Sequence, residues 1–227
     1  MNFEIWRKRI FAFLVIGAIQ YVVIGFICML FYAGGTNMDP NVSGYSFFSN
    51  YLSDLARTKV FSGKSNAVSF ILSTISSLIF DISYLLYFVA MLPFFKEKRI
   101  EKVLSVVGSS LGVISGIFLI GIALTPLDIF PYIHFLFVVF AFSIAFFAAV
   151  VYSIVTFLNK DYPKLNALAY LVFSIAMFIY ILTVLYGPAG NTQEGLTFQC
   201  TAQKIIIYIW MSHLVIQGYG AWKLIKS

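Results

Sequence analysis

The chain has 227 residues, of which 61% are hydrophobic and only 11% charged, and its mean hydropathy is +0.93. Soluble domains carry about 25% charged residues, so the composition excludes a soluble fold and reads as an all-α, multi-pass integral membrane protein. The formal net charge of +6 is not accompanied by a basic tract or a soluble module of the nucleic-acid-binding kind, so nucleic acid is not an expected partner.

Apolar runs of about 20 residues, the length that crosses a hydrocarbon core of about 30 Å, lie at Ile10 to Tyr32, Asn66 to Phe95, Val103 to Leu124, Pro131 to Leu158, Leu165 to Tyr186 and Ile205 to Leu224. They predict one domain, 1–227, built as a bundle of six transmembrane helices. The first run is too long for a signal-peptide core and lacks a small-residue cleavage site, so it is expected to stay as the first helix.

Charge sorts the loops by side. Arg7, Lys8 and Arg9, then Lys96, Lys98, Arg99 and Lys102, then Lys160 and Lys164, and finally Lys223 and Lys226 share one side. The other side holds Arg57, Lys59, Lys64 and Lys204. The positive-inside rule then places both termini in the cytoplasm and the first, third and fifth loops outside. The basic rim suits anionic headgroups, and the host is the cell membrane or an endomembrane.

The first helix carries Gln20 at mid-depth and Cys28 near its outer end. In the loop that follows, Phe47, Phe48, Tyr51, Leu52 and Leu55 recur at helical spacing, while Ser46, Ser49, Asn50, Ser53, Asp54 and Arg57 take the other face. This predicts a short amphipathic helix on the outer interface. Asp54 and Arg57, three apart, are placed to pair on it. Either the pair is solvated, or Asp54 turns inward and orders the lid of a pocket. Asn41, Val42 and Ser43 form a glycosylation sequon in the same loop.

Asp81 is the one charged residue in the second run. A carboxylate at that depth costs roughly 2.5 to 3.5 kcal/mol on insertion scales, so it is expected to face protein or water. By depth, at about 1.5 Å per residue, its candidate partners are Gln20, His213 and Gln217. A neutral Asp81 donating to one of the amides is one reading; a protonatable relay from His134 through His213 to Asp81 is the other. Ser73, Thr74, Ser76, Ser77, Ser83 and Tyr84 give this helix further hydrogen-bonding capacity, which more often knits helices together than catalyses.

Gly108, Gly112 and Gly116 make a small-xxx-small stripe on the third helix, predicting close approach to a neighbour in the same subunit or a homodimer seam. The third loop, TPLDIFPYIH, places Asp128 before a helix whose first turn tolerates Pro131, so Asp128 reads as a helix cap. His134 follows on the outer side. With Ser53, Asp54, Asn66, Glu194 and Gln203, these groups map to one leaflet and are the candidate lining of an outer cavity. Cys200 and Cys28 fall on the same side, as a disulfide or as two free thiols.

The string FSNYLSDLARTKVFSGKSNAVSF after the first span, the TPLDIFPYIH loop, the six spans and the basic C-terminus resemble family 998 of domains of unknown function. More distantly they resemble the Frag/DRAM/Sfk type of six-helix membrane proteins. Carried over by motif, the matching positions are Ser53, Asp54 and Leu55, Asn66, and Asp128, Pro131 and His134. Where such proteins often show an acidic-basic pair at the sixth span, this chain has Gln203 and Lys204. The resemblance implies a lipid-associated role and supplies no enzyme class.

Three functions compete. The first is a non-enzymatic protein that binds or organises membrane lipid, or a membrane partner, through the outer cavity. The second is a small proton- or ion-coupled transporter or channel using Asp81 and His213. The third is an intramembrane hydrolase or transferase using Asp54, Asp128 and His134. No HExxH, Walker or GxSxG motif is present, and no metal or cofactor is expected.

Overall fold

The computed structural model describes residues 3–225; Lys226, counted in the basic tail, lies outside the described residues. Six helices follow in chain order: α1 (Phe3–Phe31), α2 (Ala67–Met91), α3 (Arg99–Leu124), α4 (Pro131–Leu158), α5 (Lys164–Tyr186) and α6 (Gln193–Leu224). Among the described residues there is no strand, and the nearest approach to one is an isolated bridge between Lys59 and Ser65.

Local chemistry sets the helix ends. At Pro93 the last turn of α2 tightens into a 3-10 turn, Leu92–Phe95, because the pyrrolidine ring has no N–H to continue the α ladder. Pro131 opens α4, where a missing N–H costs nothing. Thr192 caps α6 by accepting from the Gly195 N–H at 3.1 Å.

The helices pack as a closed ring: α1 on α2, α2 on α3, and so on to α6, which returns to α1. In α1, Ile10, Phe11, Leu14 and Ala18 face inward, while Ile16, Ile19, Val23, Phe26 and Leu30 are exposed. Apolar side chains on both faces suit a helix that touches its neighbours on one side and hydrocarbon on the other. Helices α1 to α5 are long and apolar enough to cross a membrane, and the chain is a multi-helix integral membrane protein. Helix α6 is less apolar because it buries Lys204, His213 and Gln217 against the bundle.

The α3 glycine stripe works inside the subunit. A Cβ on Gly108 would come within 2.9 Å of the Tyr152 ring on α4, and one on Gly116 within 2.5 Å of Leu85 on α2; one on Gly112 would collide with Phe88. The stripe therefore seats α3 between its two neighbours.

Two expectations change, and for the cysteines the free-thiol reading is the one observed. The amphipathic helix over 47–57 is instead turns around 46–50 and a five-residue 3-10 helix, Leu52–Ala56. Asn50 accepts from Ser46 N–H at 2.9 Å, and Asp54 accepts from Tyr51 N–H at 2.8 Å; such local side-chain bonds compete with the helical ladder. Asp128 does not cap α4, whose first flanking residue is Phe130. Cys28 and Cys200 are both buried and carry free thiols.

Candidate functional site

The first loop folds inward as a lid over the end of the bundle from which it emerges. Gly34 and Gly35 adopt positive φ, and a Cβ at Gly35 would sit 2.6 Å from Ser62 N, so the chain doubles back tightly there. Asn50 donates to Gly35 O at 3.0 Å. Asp54 is 1% exposed and pairs with Arg57 at 3.7 Å. Burial pushes its carboxyl up to about 6, outweighing the opposite pull of Tyr51, Arg57 and Asn50. Of the two sequence readings of this pair, the inward one is observed.

Long-range bonds hold the lid to the helices. Leu52 N–H donates to Gln203 Oε1 on α6 at 2.7 Å, and the Lys204 ammonium donates to Asn50 O beside the rings of Tyr45 and Phe47. Asn66, at the start of α2, donates to Leu55 O and Arg57 O at 3.1 and 3.0 Å. Asp128 accepts from Thr58 N–H, Thr58 Oγ1 and Lys59 N–H at 2.9, 2.6 and 3.0 Å. Burial raises the Asp128 carboxyl, but these bonds prevail and hold it below the usual carboxylate range.

Beneath the lid lies a partly open cavity of about 110 Å³. A cavity needs about 10–15 Å³ of such space to hold one water, so this one has room for several small groups. Its wall takes Tyr21, Val22 and Gly25 from α1, Ser73, Ser76, Ser77, Phe80 and Asp81 from α2, His134 and Phe142 from α4, and Gln203, Tyr208 and Trp210 from α6. Leu52, Ser53 and Leu55 of the lid close the top.

Three buried polar atoms on this wall have no hydrogen-bond partner in the protein: Asp81 Oδ2, His134 Nε2 and Trp210 Nε1. Their residues are 3%, 4% and 1% exposed. His134 Nδ1 lies 2.7 Å from Thr125 O; because a carbonyl only accepts, Nδ1 carries the proton and Nε2 of the neutral ring is left with an unused lone pair. Buried polar groups are normally bonded, and three residues lining this one cavity each keep an atom that is not.

Beyond Trp210 the space narrows to a void of about 10 Å³ among aromatic side chains. Tyr84, Tyr87, Phe88, Tyr152 and Tyr170 are buried and meet in edge and stacked contacts with centroids 5.0 to 5.6 Å apart. Tyr152 also bonds Ser109 at 2.6 Å.

The expected site residues divide into four groups. Ser53, Asp81, His134 and Gln203 reach the cavity, whereas Asp54, Asn66 and Asp128 brace the lid. Glu194 is exposed on a separate shallow groove of α6 with Gln193 and Thr197. The partners proposed for Asp81 go elsewhere. Gln20 Oε1 accepts from Ser76 Oγ at 2.9 Å and Nε2 donates to Ser76 O at 2.9 Å. Gln217 donates to Asn166 O at 2.8 Å, and His213 stacks on Phe173 with centroids 4.7 Å apart. The relay from His134 through His213 to Asp81 is therefore not assembled. Among the described residues no group of three His, Cys, Asp or Glu side chains could hold a metal.

Residues 27–217 match the family described as protein of unknown function, DUF998. The chain belongs to the DUF998 family. No curated protein matches it, and no solved structure matches it. The DUF998 match spans the lid, the cavity wall from Leu52 onward and the aromatic filling, with Tyr21, Val22 and Gly25 lying just before it.

Sequence reasoning missed Tyr21, Gly25 and Trp210. A signal existed for two of them. Gly25 is a helical glycine off the α3 stripe, and nothing lies within 4 Å of the position its Cβ would take. Trp210 sits deep in α6, whereas membrane tryptophans favour the interface.

Proposed function

We propose that this protein is a six-span membrane protein with both termini cytoplasmic, which binds the polar end of a membrane amphiphile in the cavity beneath its outer lid. One observation carries the reading: a mostly apolar pocket in which Asp81, His134 and Trp210 present polar atoms that the protein leaves without partners. Ligand sites combine such an apolar wall with a few placed polar groups. The half-buried α1 side of the pocket, at Tyr21, Val22 and Gly25, is where a hydrocarbon tail would leave toward lipid.

Two features favour binding over the alternatives. Below Trp210 the aromatic layer leaves a void of only about 10 Å³, against a conducting path. Asp54, Asp128 and His134 each have their own partners, so the acid-base set a hydrolase would need does not converge.

The test is native mass spectrometry of protein released from its membrane in mild detergent. Wild-type protein is expected to retain an amphiphile, and Gly25→Leu, which fills the pocket from a position with free space, is expected to lose it. Equal retention by both would sink the reading.

A further inference from the structure

The cavity wall has an uneven charge inventory. Asp81 is the single acid on it, and neither Lys nor Arg lines it. Five aromatic residues, Tyr21, Phe80, Phe142, Tyr208 and Trp210, stand on the same wall. Tyr21 and Phe80 have centroids 5.4 Å apart, and Phe142 and Trp210 5.2 Å apart. The second orphan, His134 Nε2, is an acceptor by the tautomer argument above. The third orphan, Trp210 Nε1–H, is a donor and seeks an acceptor, whereas the unpaired carboxyl oxygen, the unpaired imidazole lone pair and the aromatic faces seek positive charge or hydrogen-bond donors.

An anionic head would meet Asp81 with no cation on the wall to offset it, and like charges buried together in low dielectric repel strongly. A hydroxyl head would bring one donor, and an acceptor for Trp210 Nε1–H, but no charge for Asp81 or for the ring faces. An ammonium brings charge for Asp81, up to three donors, and a partner for the aromatic faces.

We propose that the amphiphile taken up by this cavity carries an ammonium head, seated between Asp81 and the rings of Tyr21, Phe80 and Trp210. This rests on the amphiphile-binding reading above and narrows it to one head-group chemistry.

The test compares dodecylamine, dodecanol and dodecanoate as ligands of the purified full-length protein, in nanodiscs of neutral lipid, by thermal shift and by intrinsic tryptophan fluorescence. The wild-type protein is expected to bind the amine at least ten-fold more tightly than the alcohol, with no detectable response to the carboxylate. Asp81→Asn keeps the side-chain volume and is expected to bring amine and alcohol to parity while alcohol binding persists. Asp81→Leu serves as a second variant with the same expected loss of preference.

If the alcohol or the carboxylate binds wild type as well as the amine, or if Asp81→Asn keeps the preference, the ammonium assignment fails and amphiphile binding stands. If none of the three binds and Gly25→Leu changes nothing, the amphiphile reading fails with it.

Discussion

The Thr58 hydroxyl donates to Asp128 Oδ2 at 2.6 Å, and this bond, with two more from the Thr58 and Lys59 backbone, ties the third loop to the back of the lid. Hydrogen bonds to a charged acceptor contribute about 1.5–3 kcal/mol. Asp128→Ala is therefore expected to destabilise the lid by about 2 kcal/mol and Asp128→Asn by about half of that. Limited trypsin digestion reads this directly, because Arg57, Lys59 and Lys64 lie in the segment that would loosen. Cleavage there should accelerate in the order wild type, Asp128→Asn, Asp128→Ala; equal rates would remove the role given to this contact.

Two glycines in similar helical settings are expected to respond in opposite ways. At Gly112 an added Cβ runs into the Phe88 ring, whereas at Gly25 it meets nothing within 4 Å. Overpacking a tight interface costs about 1–3 kcal/mol, so Gly112→Ala should lower the melting temperature clearly. Gly25→Ala should leave it unchanged or raise it, since glycine inside a helix is weaker than alanine by about 0.5–1 kcal/mol. Thermal unfolding of both variants in one detergent is the measurement.

The helices were legible because hydrophobic run length and the four-residue glycine spacing are local patterns. The DUF998 resemblance came from short loop strings and was confirmed over residues 27–217. The lid was legible only as one of two readings of Asp54. Its amphipathic spacing imitates an interfacial helix, and what turns Asp54 inward is supplied from far along the chain: Gln203 bonds Leu52 across 151 residues, and Lys204 bonds Asn50 across 154. Depth arithmetic likewise ranked partners for Asp81 by height alone. Height does not say which way a helix face points, and the faces of Gln20 and Gln217 turn toward Ser76 and Asn166.

Asp54 gives the lid a pH dependence whose sign follows from its burial. Its carboxyl titrates near 6 in the folded protein against an ordinary value of 3.8. Between those values the folded chain holds a proton that the unfolded chain has released, so stability rises as pH falls from 7 toward 4. A shift of this size corresponds to roughly 3 kcal/mol at most. Asp128 is shifted the other way and loses its contribution only below about pH 4, outside this window. From pH 7 to pH 5 the melting temperature of wild type is expected to rise more, or fall less, than that of Asp54→Asn. An identical slope in the two proteins would show that Asp54 does not govern it.

At the opposite end, Asn166 and Gly220 form a coupled pair between α5 and α6. The Asn166 side chain donates to Ile216 O at 3.0 Å and to Gln217 Oε1 at 3.1 Å, and it occupies the space a Cβ on Gly220 would need. Interhelical hydrogen bonds in membranes average about 0.6 kcal/mol each, up to about 1.7, so Asn166→Ala should cost about 1–2 kcal/mol. Gly220→Ala alone should cost a similar amount by collision with the amide. In the double variant the collision partner is gone, so the second substitution should add almost nothing, a non-additivity that contacting residues show and distant ones do not. Equilibrium unfolding of the four proteins closes the cycle. Because the pair lies beyond the aromatic layer, none of the variants should alter amphiphile retention; a loss of ligand in Asn166→Ala would mean that the two ends of the bundle are coupled through that layer.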